Sequence, residues 1–438
     1  MQANGVWLLR TRSMPDLQRF MLRASQKAVN LWCDSKARLI LTANFLIVVG
    51  SGITWIAVPW LLIHESNGNA IYGLSSSALT LLVFVLLPVL GKAIDRNSRK
   101  KLVLVYYLFA ITANLVVVSM IMLQGRVEAW HLVVAMSFGS LGVSLYYPAQ
   151  FALNQEVLTK DQYRALSGAL EVQWQTGAMV AGAAASFLIT RVPLIAILLF
   201  DCCTFLAAFI VMSFVPYSRN PKLDANTGSA SKLTIEGLVY LKRRPRLSLV
   251  LFGSLLPFLG VMVCIYLMPV FVSETLRAGP EIYGFGEVCY SLGAVLAGLT
   301  VPALSGRIGL VRTLLLTVGC YTVAVMVNPL VAAIPVLLTS LVLQGWGNAG
   351  SRVARSTVAL ETVPNELMGR VNLFYSAMER LLRSIFLAVV TQQVANSGAR
   401  SGYWTISAIG LSGWIMVLFC RRFRRHPVIE VASSERAA

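Results

Sequence analysis

Twelve apolar runs dominate the chain, at about residues 39–63, 72–92, 102–123, 131–153, 165–190, 193–215, 248–272, 282–304, 312–330, 333–353, 371–395 and 402–420. Each approaches the ~20 residues that an α-helix needs to cross ~30 Å of hydrocarbon. They are continuous rather than alternating, which excludes an outer-membrane barrel. Only 13% of the 438 residues are charged and 57% are hydrophobic, whereas a soluble domain carries about a quarter charged residues. The expected fold is therefore an all-α polytopic membrane protein.

The net charge of +18 could signal nucleic-acid binding, but its distribution says otherwise. With the N-terminus cytoplasmic, 31 of the 37 Lys and Arg fall in segments on that side, 4 lie in the opposite loops, and Arg380 and Arg383 lie inside span eleven. That bias is the positive-inside signature, so both termini are expected to be cytoplasmic and no nucleic-acid partner is implied. The seven cysteines show no paired metal-binding spacing and read as small core residues.

Five regions follow. Residues 1–38 form a basic amphipathic segment, with Leu17, Phe20, Met21 and Ala24 on one face and Arg19, Arg23 and Lys27 on another. Six spans occupy 39–215, a polar linker runs through 216–247, six more spans occupy 248–420, and 421–438 is a basic tail. The halves repeat: the loop from Glu156 to Arg164 after span four resembles that from Glu361 to Arg370 after span ten. Repeats in one orientation mark a two-bundle transporter.

Between spans two and three lies the stretch Gly91 to Lys101, which holds five cations and one carboxylate and is expected to be a tight turn. It resembles the Gly-x-Leu-Ala-Asp-Arg-x-Gly-Arg-Arg signature of the major facilitator superfamily, matching at Gly91, Asp95, Arg96, Arg99 and Lys100 and departing at Ala93, Ile94 and Ser98. Glu236 to Pro245 and Leu199 to Phe205 further resemble the drug:proton antiporter-3 branch of multidrug and enterobactin exporters. The antiporter motif of span five survives only as Gly177 and Gly182, and the arginine expected in span four is missing. The resemblance implies twelve transmembrane helices in two six-helix bundles and a cytoplasmic latch. In that latch Asp95 meets the positive N-terminal end of span eleven near Gly369 and Arg370, while Arg96 and Arg99 pair with Glu156. Gly91 would allow close helix approach.

Charges inside spans are costly, about 2.5–3.5 kcal/mol each on an insertion scale, and read as functional. Glu379, Arg380 and Arg383 fall near the middle of span eleven. Glu379 and Arg383 are i,i+4 and can pair, leaving Arg380 to face either an anionic substrate group or a partner from another span. Glu171, with Gln173 and Trp174, suits a proton site, polar substrate contacts or a cross-bundle pair. Asp201 is either a proton site or a helix–helix bond, and Glu287 is close enough to the outer end of span eight to snorkel. Asn44 and Trp55 are further cavity candidates, each equally able to serve helix packing.

No phosphate-binding loop follows a strand, so the expected energy source is an ion gradient, protons by the family resemblance, without cofactor or metal. The sequence reads as a secondary transporter, not an enzyme. It is expected to be a plasma-membrane monomer that exports a small amphipathic organic molecule, such as a siderophore, another anionic metabolite or a drug. A lipid-moving member of the same superfamily, taking lysophospholipid, is the alternative, and a non-transporting receptor stands behind it.

Overall fold

The computed structural model of the protein describes residues 34–158, 160–217 and 238–422. The expected amphipathic segment up to residue 33, most of the linker including Glu236 and Gly237, and the tail beyond 422 lie outside these residues. Twelve long helices follow one another: α1 (Ser35–Ile63), α2 (Gly68–Arg96), α3 (Arg99–Gln124), α4 (Ala129–Val157), α5 (Lys160–Leu188) and α6 (Leu194–Ser213) make the first half. The second comprises α7 (Pro245–Thr275), α8 (Pro280–Ile308), α9 (Leu310–Leu330), α10 (Ile334–Thr362), α11 (Asn365–Ser397) and α12 (Ala399–Arg422). α7 is interrupted at Ser254 and Leu255, just before Pro257, and ends in a π turn at Phe271–Thr275. Among the described residues, nine of the twelve are long and apolar enough to cross a membrane, and α5, α10 and α11 are more polar. The last two carry buried amides or in-span charges, which is where a transport path would be lined.

The tight turn expected in the basic stretch Gly91 to Lys101 is present but confined to two residues. α2 continues to Arg96 and α3 begins at Arg99, so only Asn97 and Ser98 lie between them. Asn97 Nδ2 caps α2 on Ala93 O at 2.8 Å, and Ser98 Oγ accepts from the Lys101 amide as the N-cap of α3. Ser98 has φ −64°, so the glycine it replaces was not needed for backbone conformation. Lys100 Nζ then donates to Ser213 O and Val215 O, both at 2.7 Å, and satisfies carbonyls left free where α6 ends.

Call the face bearing the α2–α3 joint the basic face and the other the far face. Toward the far face the halves share one core: Trp60, Tyr72, Leu132 and Leu198 pack with Tyr266, Phe271, Tyr283 and Tyr403. Toward the basic face the core divides. Ile40, Tyr107, Tyr146 and Phe205 belong to a cluster of first-half residues, and Leu251, Leu314, Ala354 and Val417 to one of second-half residues.

Two crossings make the far-face seal. A Cβ on Gly182 of α5 would fall 2.7 Å from Gly284 O and 3.0 Å from the Glu287 Cβ of α8. One on Gly73 of α2 would meet Thr391 of α11 at 2.0 Å. Around them Ser384 Oγ donates to Ser77 O at 3.0 Å and Tyr72 Oη to Ile265 O at 3.2 Å. Trp60 stacks on Tyr283 with ring centroids 5.8 Å apart. His64 and Ser273 are hydrogen-bonded at 3.1 Å, and Asn69 donates to Glu274.

At the basic ends of α2 and α8, Gly91 and Gly298 meet nothing within 4 Å, and Val85, Val89 and Leu299 are exposed. Gly91 therefore permits no close approach in this state. The protein is sealed at the far face and parted at the basic face.

Gly182→Leu should wedge the α5–α8 crossing. Spin labels placed across the far face should report longer distances than in the wild type; unchanged distances would mean that the crossing does not set the seal.

Candidate transport cavity

Arg380 lies one turn basic-ward of Ser384, the residue that meets α2 in the seal. Residues four apart share a helix face, so Arg380 faces α2 where the halves have parted. Among the described residues it makes no ion pair. Arg383, further round the helix, donates to Met262 Sδ of α7 at 3.4 Å, and its buried Nε has no hydrogen-bond partner. Glu379 Oε1 is also buried without a partner. The expected Glu379–Arg383 ion pair is not formed: both remain within electrostatic range, but Arg383 extends toward α7 instead.

The sequence reading missed a second cationic pair. It ended span ten at residue 353, which left Arg355 outside, and counted both Arg352 and Arg355 with the cytoplasmic segments, whereas α10 continues to Thr362. Gln344, Asn348, Arg352 and Arg355 follow the helical period, a signal legible in the sequence had the span been extended. Asn348 Nδ2 donates to Tyr290 Oη of α8 at 2.7 Å. Arg355 Nη1 donates to Ser254 O at 2.9 Å, at the interruption of α7 where the helical ladder offers no regular donor. The second half thus holds four arginines and Glu379 at the level where the core divides.

The first half contributes aromatic surface. Tyr147 and Trp174 are 41% and 37% exposed, with rings edge-on at 5.7 Å, and Trp55 is 45% exposed beside Gly139 of α4. Gln173 turns away from them and donates to Leu41 O of α1.

Other expected site residues belong to buried knots. Asn44 is 6% exposed and its Oδ1 accepts from Tyr146 and Gln150, so it joins α1 to α4 instead of lining a cavity. Asp201 of α6 is 3% exposed and accepts from Ser51 at 3.1 Å, Thr54 at 3.2 Å, Asn114 at 3.1 Å and, more weakly, Thr204 at 3.5 Å. It ties α1 and α3 to α6, which is the helix–helix alternative.

At the basic face Arg99 Nη1 sits 3.1 Å from Glu156 Oε1, and Tyr217 Oη donates to Glu156 Oε2 at 2.6 Å. Burial and that hydrogen bond push the Tyr217 phenol up from its ordinary range. Arg96 is exposed and takes no part in this pairing. Asp95 and Glu171 lie on α2 and α5 with side-chain positions outside the described set, and Gly369 and Arg370 lie on α11.

Glu287 sits at the α5–α8 crossing. It lies seven residues into α8, about 10 Å from the helix start at 1.5 Å per residue. Its Cβ is packed under Gly182 on the basic side of the crossing.

The family model of the Major Facilitator Superfamily matches residues 40–286 and 250–437, nearly the whole chain. The chain belongs to this superfamily. Macrolide efflux protein A of Streptococcus pyogenes is 24% identical over 258 residues, which cover 58% of this chain and 62% of the relative's length. The multidrug efflux pump Tap of Mycolicibacterium fortuitum is 24% identical over 350 residues, 76% of this chain and 83% of Tap. Among solved structures, a bacterial homologue of the iron transporter ferroportin is similar in fold in two states. Its inward-facing form superposes with a TM-score of 0.67 at 17% identity, covering 87% of this chain and 98% of that one. Its outward-facing form gives 0.59 at 16%, with 89% and 100% covered.

Asp201→Ala should strip an acceptor from several buried donors, each worth about 1–3 kcal/mol when left unmade. The variant is expected to lose its folded, monodisperse form at a clearly lower temperature than the wild type in detergent. An unchanged melting profile would show that the knot is not structural.

Proposed function

We propose that the protein is a secondary transporter that exports a small amphipathic organic molecule by alternating access, in exchange for inward-moving protons. The observation that carries this reading is the division of the core: one hydrophobic cluster shared at the far face and two separate ones at the basic face. With the basic face cytoplasmic by its Lys and Arg content, the structure is the inward-open member of the cycle. Both termini are then cytoplasmic, the membrane is the plasma membrane, and one chain forms the complete path.

Export is favoured by the macrolide and multidrug efflux proteins to which the chain is similar. Arg380 and Arg383, with Arg352 and Arg355 deeper toward the basic face, outnumber Glu379 and favour a substrate with an anionic group, such as a siderophore or another organic acid. Trp55, Tyr147 and Trp174 offer surface for its apolar body. The latch acts in the other half of the cycle. When the basic face closes, Asp95 meets the N-terminal end of α11 near Gly369 and Arg370, on an α2–α3 joint already anchored through Arg99 and Glu156. No cofactor enters the cycle.

In inside-out vesicles energised to an acidic interior, a transported organic anion or macrolide should accumulate and dissipate the pH gradient. A panel of both classes that leaves the gradient intact would contradict proton antiport. Arg380→Ala should lower accumulation of the anionic members by about tenfold or more, the loss of one partner of a charge-assisted contact worth roughly 1.5–3 kcal/mol. Equal accumulation would remove Arg380 from the site.

A further inference from the structure

Glu287 stands apart from the other in-span carboxylates that the structure describes. Asp201 accepts from residues of α1, α3 and α6, all in the first half, so relative motion of the halves leaves its surroundings unchanged. Glu379 is flanked by Arg380 and Arg383 of its own helix, which travel with it. Glu287 makes no hydrogen bond or ion pair among the described residues, yet it occupies a contact between the halves that must part in each cycle. Its Cβ would lie 3.0 Å from a Cβ on Gly182, across the α5–α8 crossing.

We propose that Glu287 is the carboxylate that carries the proton; the assignment rests on the proton-coupled reading given above. Opening the far face withdraws α5 from α8 and lets outside water reach the side chain, where a carboxylate is well solvated. Closing it replaces that water by α5, which offers Gly182, with Ser186 one turn on, and no cation. A charge without a partner is far more costly to enclose than the neutral acid. The far face therefore closes readily only after a proton from outside water has added to a Glu287 carboxylate oxygen. Once the basic face has parted, that proton leaves toward the cytoplasmic side, and the bare carboxylate left under the seal then favours reopening of the far face.

The groups near Glu287 fit a proton carrier better than a fixed charge. Its own helix supplies the phenols of Tyr283 and Tyr290, and α2 supplies that of Tyr72, all within electrostatic range. None is a permanent cation. Arg383 of α11 is in range of Tyr72 and Arg352 of α10 is in range of Tyr290. The substrate-facing arginines and the proton site are thus separate, and the opening and closing of the far face is what they have in common.

The test reads the seal itself and needs no substrate. Ser66→Cys and Glu281→Cys, exposed on the far face of opposite halves, would carry spin labels in a full-length chain whose native cysteines have been replaced. In the otherwise wild-type protein, raising the pH from about 5 to about 8, across the range of carboxylate and histidine titration, should shift the distance distribution from the short, sealed population to a longer one. E287Q should stay in the short population at both pH values, and E287D should restore the shift.

His64 bonds Ser273 across the same seal, so the pH response alone does not identify the group; the E287Q result does. An E287Q protein that opens with pH as the wild type does would overturn the assignment and leave proton coupling standing. A wild type without any pH response would overturn both. Loss of the response in E287D as well as E287Q would make Glu287 a packing residue and also overturn the proposal.

Discussion

Everything in this structure hangs on two close helix crossings at the far face. In hydrocarbon, helices gain nothing from hiding apolar surface from one another, so they associate by close packing and by buried polar bonds. Gly182 against Gly284, and Gly73 against Thr391, provide the packing; Ser384 to Ser77 O and Tyr72 to Ile265 O provide the bonds. Each crossing joins one helix of the first half to one of the second, so the seal is a hinge region between two bodies. Those bodies keep their own cores where they separate. A contact built from small residues and a few hydrogen bonds is strong enough to hold one state and weak enough to be exchanged for another.

The buried charges sort by the same logic. The carboxylates that hold the first half together have their partners inside that half, Asp201 from α1 and α3 and Glu156 from Arg99 and Tyr217. Others are left incomplete: Glu379 Oε1 and Arg383 Nε lack hydrogen-bond partners, and Glu287 makes no hydrogen bond or ion pair among the described residues. Incomplete charges in a membrane interior are costly, and a transporter uses that cost to respond to what binds. On the proposals made above, an anionic group at Arg380 or a proton at Glu287 would each supply what the protein withholds.

Much of the fold was legible in the sequence because its determinants are long-range averages. Span length, the bias of Lys and Arg and the repeat at Glu156 and Glu361 do not depend on any one side chain. Boundaries were less legible, since helices continue past the hydrocarbon: the stretch from Gly91 to Lys101 proved to be two helix ends meeting at Asn97 and Ser98. The same truncation hid Arg352 and Arg355, although their spacing from Asn348 keeps the helical period. For the site, residue type announced that a charge mattered but not which partner it met. Asn44 and Asp201 turned inward to neighbouring helices, and Arg383 reached Met262 in place of Glu379. Those outcomes depend on helix rotation, which a one-dimensional pattern of apolar runs leaves open.

The central claim is that the far-face seal must open during transport. A Cβ at Gly73 would lie 2.7 Å from the Thr391 Cβ, so a cysteine pair at these positions needs only slight separation to reach the ~3.8 Å of a disulfide. Oxidising a Gly73→Cys, Thr391→Cys protein, otherwise free of cysteine, should abolish gradient-driven uptake into inside-out vesicles, and reduction should restore it. Full uptake while the bridge is intact would contradict the account.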